Sequence, residues 1–167
     1  MKENFIQLNR DNILRLGIRT ADGEDTGNYL EFDLEDIELP LRLQSLTEED
    51  KKNRQNLRNQ IAIIDKRQDV KGKKIMSKNE EDRIKAMNDF FNKEVEVYNM
   101  FLGENGVNKL LNGRKLGWTS LQEIDEIINN QIAPYIEKNM TDITNKIKEK
   151  YSTTEETEVL EWNALNM

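Results

Sequence analysis

The hydrophobic pattern of this chain changes period once, near Pro40, and that change limits the fold more than any other feature. Before it, apolar and polar residues alternate. Leu14, Leu16 and Ile18 share one face of an extended segment, with Arg15 and Arg19 on the other. Leu30, Phe32 and Leu34 share a face of a second segment, with Glu31, Asp33 and Glu35 opposite. Residues 21–28 between them are rich in Gly, Asp and Asn and read as turn. The pair predicts a β-hairpin with one apolar and one charged face, its outward charges opposite in sign and suited to cross-strand pairing. A lone hairpin is marginal in water, so its apolar face must cover something. A further short strand is expected around Phe5-Ile6-Gln7-Leu8.

After Pro40 the apolar residues recur every three or four positions, the spacing of a helix face. Pro40 excludes a central strand and holds Leu39 extended, so residues 37–43 read as the link from sheet to helices. Thr47, followed by Glu48, Glu49 and Asp50, reads as the N-cap of a first helix striped by Leu57, Ile61 and Ile64. Ser77-Lys78-Asn79-Glu80 is a capping-box pattern. Its helix carries Ile84, Met87, Phe91, Val95 or Glu94, Tyr98 and Phe101 or Leu102, broadened by Phe90, Val97 and Met100, and stops at Gly103. Residues 104–111 make one or two turns, ended by Asn112-Gly113, and Trp118 falls in the connection that follows. Ser120-Leu121-Gln122-Glu123 opens a last helix striped by Leu121, Ile124, Ile128, Ile132, Tyr135 or Ile136, Met140, Ile143, Ile147 and Tyr151, which Pro134 kinks or divides. Residues 152–157 read as a polar break before an apolar tail containing Leu160 and Trp162. The expected fold class is α+β and mainly helical, a small N-terminal β-hairpin element packed on a bundle of three to five helices. The expected division is an N-terminal β element (1–39), a helical domain (40–151), and a polar linker with an apolar C-terminal tail (152–167).

The chain has no histidine and no cysteine. That removes the commonest general base, the thiol nucleophile, disulfides and zinc sites built on either residue. Carboxylates remain for glycoside or magnesium chemistry. The candidates are Asp22, Glu24 and Asp25 in the turn, and Glu123, Asp125 and Glu126 at a helix start. Both positions favour acids for structural reasons. No glycine-rich phosphate loop or dinucleotide fingerprint is present. The expectation is a non-enzyme without a cofactor or metal. With no apolar run long enough to span a bilayer and no signal-peptide pattern, the expected location is the cytoplasm, without membrane partners.

Charge is segmented. Residues 1–50 carry 5 basic and 13 acidic side chains, residues 51–115 carry 16 and 9, and residues 116–167 carry 4 and 10. Either the segments neutralise one another, within the fold or across subunits, or they drive self-association through opposite patches. Lys71, Lys73, Lys74, Lys78, Arg83 and Lys85 form a basic cluster, and Arg114 with Lys115 a smaller one. A nucleic-acid-binding regulator is therefore one alternative. The interspersed acids and acidic flanks favour a solvated linker and helix edge instead. Aromatic and basic groups are the usual anchors of protein contacts, which makes Trp118, Leu160, Trp162, Lys73, Lys74 and Arg114 the candidate protein-binding residues. The apolar tail either folds back on its own core or docks on another copy or partner.

The order of an acidic hairpin, several helices, the segment Phe101-Leu102-Gly103-Glu104-Asn105-Gly106-Val107-Asn108-Lys109-Leu110-Leu111-Asn112-Gly113-Arg114, and a final long helix resembles the tail assembly chaperones encoded by long-tailed phages and prophages of low-GC Gram-positive bacteria. In that family a helix ends in Leu-Gly and a short helix follows, as at Leu102-Gly103 and residues 107–111 here. The resemblance covers residues 13–150 and does not include the tail with Trp162. It implies a viral or prophage protein acting in the host-cell cytoplasm during virion assembly. Its partners would be the tape measure protein and tail tube subunits, with self-association around the tape measure, and it would have no catalytic residues. Another small phage structural or head–tail joining protein is the nearest alternative.

Overall fold

The computed structural model describes residues 6 and 11–165, with side chains described as far as Tyr151. Strands β1 (Ile13–Arg19) and β2 (Asp25–Asp33) form an antiparallel two-stranded sheet. Leu14 pairs with Phe32, Leu16 with Leu30, and Arg15 with Glu31, so apolar residues oppose apolar and opposite charges meet on the outer face. Arg15 also lies 3.7 Å over the Tyr29 ring. The turn is tighter than expected. Gly23 (φ 86°) closes it, and β2 begins at Asp25, where residues 25–28 had read as turn. A register irregularity between Gly17 and Arg19, with Gly27 at φ 75° on the opposing strand, takes up the difference. The inner face buries Ile18, Leu30 and Phe32, and Phe32 meets Phe101 at 5.5 Å between ring centroids. The strand expected around Phe5 to Leu8 lies outside the described residues except for Ile6, which is exposed and not in a strand.

The first helix, α1 (Leu39–Asp65), starts well before Thr47. Pro40 sits in its first turn, where a missing N–H costs nothing because that donor has no helical partner. Asp36 organises the entry: its carboxylate accepts the Glu38 N–H at 2.9 Å and pairs with Arg42 at 2.6 Å. Thr47 is a mid-helix residue whose hydroxyl donates to the Leu43 carbonyl at 3.2 Å, not an N-cap. Ser77 does cap α2 (Lys78–Leu102): the Glu80 N–H donates to its hydroxyl at 3.2 Å, and its own N–H donates to the Glu80 carboxylate at 2.8 Å. Buried Asn79 closes the other helix end, donating through Nδ2 to the Ile64 and Arg67 carbonyls at 3.2 and 3.1 Å.

The buried face of α2 is Ala86, Phe90, Glu94, Tyr98, Phe101 and Leu102. Ile84 and Met100, expected on the apolar stripe, are exposed. Helix α2 ends at Gly103 (φ 95°), and the short helix α3 (Gly106–Leu111) turns back against it. The Asn99 side chain accepts the Val107 N–H at 2.9 Å, so α2 caps α3 across the turn. A Cβ at Gly106 would lie 2.5 Å from the Leu102 Cβ, which the backbone of α2 holds in place. Gly106→Ala gains up to about 1 kcal/mol of helix propensity but forces the two helices apart. A net loss of about 1–3 kcal/mol is expected, read as a lower denaturation midpoint. Asn112 (φ 51°) and Gly113 (φ 81°) stop α3 where expected.

Trp118 is the first residue of α4 (Trp118–Ile127), not part of a connection, and Ser120 lies inside the first turn, not at the cap. Its hydroxyl accepts the Gly117 N–H at 2.9 Å. A π-helical turn, Ile128–Ile132, joins α4 to α5 (Ala133–Leu165). Pro134 lacks an N–H and crowds the carbonyl four residues back, and the wider turn absorbs both effects. Leu121, Ile124, Ile128, Ile132 and Ile136 make the inward face, whereas Tyr135 faces out. Asn139 Nδ2 bonds the Leu34 carbonyl and ties α5 to the hairpin exit. Beyond it Met140, Ile147 and Tyr151 are exposed. The backbone of α5 is helical through residues 152–157, which had been expected to form a break. The fold is thus α+β, a small N-terminal hairpin packed on a helix bundle. Among the described residues no helix is long and apolar enough to cross a membrane.

Candidate protein-binding surface

Two arrangements stand out, one internal and one at the surface. The internal one joins α1, α2 and α4. Glu94 occupies the centre of the α2 inward face, one turn from Phe90 and one from Tyr98, with no solvent-exposed surface. Asn53 Nδ2 donates to Glu94 Oε1 at 2.7 Å, while Oε2 has no hydrogen-bond partner that meets ordinary geometry. Burial, with Asp50 facing it, pushes the carboxyl up to about 7. Beside it the Tyr98 hydroxyl donates to Asp125 Oδ1, and burial and that hydrogen bond push the phenol up. Arg54 spans the group, donating to Asp50 at 2.7 Å and to Asp125 at 3.3 Å. Burial raises the Asp125 carboxyl as well. Three carboxyls, one guanidinium and one phenol thus tie three helices together. Glu94 has no access to solvent or to a substrate, so the cluster acts on stability.

Of the carboxylates singled out in the sequence, only Asp125 enters this cluster. Asp25 accepts the Gly27 N–H at 2.8 Å within the hairpin, and Glu126 accepts from Gln122 at 3.3 Å on the exposed face of α4. Among the described residues no group of three or more acidic side chains is arranged to hold a metal ion.

At the surface, Trp118 is half exposed. Its ring stacks on Phe90 at 5.3 Å and 27°, and meets Phe91 edge-on at 4.9 Å and 67°. Next to Phe91, a groove of about 200 Å³ runs between α2 and the α3–α4 connection. Phe91, Val95 and Leu116 supply its apolar lining, and Arg114 and Lys115 its charges, both basic. Arg114 also lines a larger cleft of about 740 Å³ between β1, the hairpin turn and α3–α4, where Arg19, Asp22 and Glu123 are the other charged groups. Trp118 and Arg114 are therefore brought together around Phe91. Their spacing of four residues across a helix start, Gly117-Trp118, does not reveal this in the sequence, because Phe90 and Phe91 come from a different helix.

The remaining candidates are elsewhere. Lys73 and Lys74 lie in the α1–α2 connection, and exposed Lys74 sits 3.9 Å from Glu81. The basic cluster is largely matched by nearby acids: Lys78 and Arg67 with Asp82, Lys85 with Glu81, and Arg83 with Asp65 at 2.6 Å. Arg54 alone carries an ion pair from the basic middle segment to the acidic flanks among the described residues. The expected wholesale neutralisation between segments is thus replaced by pairing within the α1–α2 hairpin. The side chains of Leu160 and Trp162 lie outside the described residues. No protein-family model matches the chain, and no curated protein or solved structure matches it either.

Proposed function

We propose that this protein is a tail assembly chaperone of a phage or prophage, holding the tape measure protein and tail tube subunits during virion assembly and doing no chemistry itself. The observation that carries the binding half is the Trp118–Phe91 aromatic ledge beside a groove whose charged groups, Arg114 and Lys115, are both basic. An exposed aromatic anchored on a buried one presents rigid apolar area at little entropic cost, and the basic rim selects an acidic segment. The tail-assembly half rests on the order of hairpin, helical bundle, Leu102-Gly103 turn, short α3 and long final helix.

Coexpression with the tape measure protein encoded alongside it tests the assignment. A stable complex is the expected result; a complex with head–tail components alone would favour the joining-protein reading. Trp118→Ala is expected to weaken the complex at least tenfold while circular dichroism retains the helical signal. Unchanged affinity would remove the ledge from the interface. Salt-sensitive DNA retardation, without a protein complex, would move the function to nucleic acid.

A further inference from the structure

Helix α5 leaves the body after Ile143. Residues 144–151 are all exposed, yet Met140, Ile143, Ile147 and Tyr151 continue the stripe that Ile136 begins in the core. A projecting helix draws no stability from packing, and helices without packing are marginal in water. At its base an apolar groove lined by Leu34, Ile37, Leu39, Pro40, Met140 and Ile143 opens beside the stripe. Ile37 is 73% exposed there, so a substantial apolar surface is uncovered.

The charge order along the helix identifies the cover. Lys146, Lys148 and Lys150 precede Tyr151; Glu155, Glu156, Glu158 and Glu161 follow it, and no basic residue occurs after Lys150. A parallel pair of such helices sets like charges together. An antiparallel pair sets each basic stretch against the partner's acidic one. With the midpoint between positions 152 and 153, position 150 falls opposite 155, 147 opposite 158, 143 opposite 162 and 140 opposite 165. Lys then opposes Glu, Ile143 opposes Trp162 and Met140 opposes Leu165, and Trp162 arrives beside the basal groove. The same patch serves both copies, as a two-fold dimer requires. The overlap of residues 140–165 is about 39 Å long at 1.5 Å per residue.

We propose that α5 is a dimerisation arm, covered by α5 of a second copy of this chain in antiparallel register. The proposal does not rest on the tail-assembly reading. Its test uses the purified full chain alone, so the two succeed or fail separately. Sedimentation at micromolar concentration is expected to give twice the chain mass of 19.7 kDa. The triple variant Lys146→Glu, Lys148→Glu, Lys150→Glu is expected to dimerise at least tenfold more weakly, as is Glu155→Lys, Glu156→Lys, Glu158→Lys. An equimolar mixture of the two restores a heterodimer, because both ends of the antiparallel pair become complementary. A monomeric wild type, or variants that dimerise alone as well as when mixed, overturns the proposal. Geometry has its own readout in this cysteine-free chain. Thr144→Cys mixed with Glu161→Cys is expected to link through a short bismaleimide, and neither links to itself. Self-linking of Thr144→Cys would mean a parallel pair and would also overturn it.

Discussion

Replacing Ile132 with Ala is expected to destabilise the fold by about 2–5 kcal/mol, the range for truncating a large aliphatic side chain in a core that cannot collapse around the gap. Ile132 is the residue at which that condition is best met. It has no exposed surface, and it ends the π-helical turn that joins α4 to α5. Its neighbours on the same face, Ile128 and Ile136, are themselves buried. The wide turn and Pro134 two residues on fix the local backbone, which leaves little freedom to relax into the space. For a chain of this size the loss corresponds to a melting temperature roughly 5–15 °C lower. Gln131→Ala, an exposed neighbour, serves as the control and is expected to change stability by no more than about 0.5 kcal/mol. If Ile132→Ala fell within that same margin, the π-turn would not be part of the cooperative core.

The second large effect is a dependence of stability on pH centred on Glu94. The unfolded chain loses this proton near pH 4.5, whereas the folded protein keeps it to about 7. Between those values the native state binds more protons than the unfolded state, so stability falls as pH rises, and levels off above about 7. The drop attributable to this one group is on the order of 3 kcal/mol at most. Asp125, raised by burial, acts in the same direction. Carboxylates held low by partners act oppositely: Asp36 by Arg42, Asp82 by Lys78, and Glu80 by the Ser77 cap. Their stabilisation is present above the ordinary carboxylate range and is lost as pH falls through it. The two trends together place maximum stability near pH 5, to about a unit. Glu94→Gln keeps the shape, accepts from Asn53 and donates towards Asp50, with no charge to bury. It is expected to raise stability at pH 8 by about 1–3 kcal/mol and to leave it nearly unchanged at pH 5. Chemical denaturation of both proteins at the two pH values reads this directly. Equal slopes with pH in the two proteins would show that Glu94 ionises normally in the fold.

Much of the architecture is a local property of the chain. The hairpin follows from alternation at residues 14–18 and 30–34, and its register from the match of Arg15 with Glu31. The α2 start follows from Ser77 and Glu80, and the α3 stop from Asn112-Gly113. Each involves residues within a few positions of one another, so periodicity and capping chemistry carry the information. Thr47 and Ser120 misled for the same reason. A cap pattern states what a helix start would accept, not where packing has already begun the helix. Here Leu39 and Leu46, buried against the rest of the core, extend α1 upstream of Thr47.

The site depended on contacts between segments far apart in sequence. That Glu94 rather than Val95 lies at the centre of α2's inward face was left open by spacing alone, because both fit the stripe. Asn53 and Arg54 of α1 and Asp125 of α4 make a buried acid tolerable at that place. The Trp118 ledge exists because α4 begins against Phe90 and Phe91. Sequence by itself determined the element types, the hairpin register and the absence of histidine and cysteine chemistry, since these depend on composition and short-range periodicity. Only the tertiary structure decided which apolar residues are core, which acid is buried, and where α5 leaves its own domain with its stripe uncovered, since burial is a property of surfaces meeting and not of the chain that carries them.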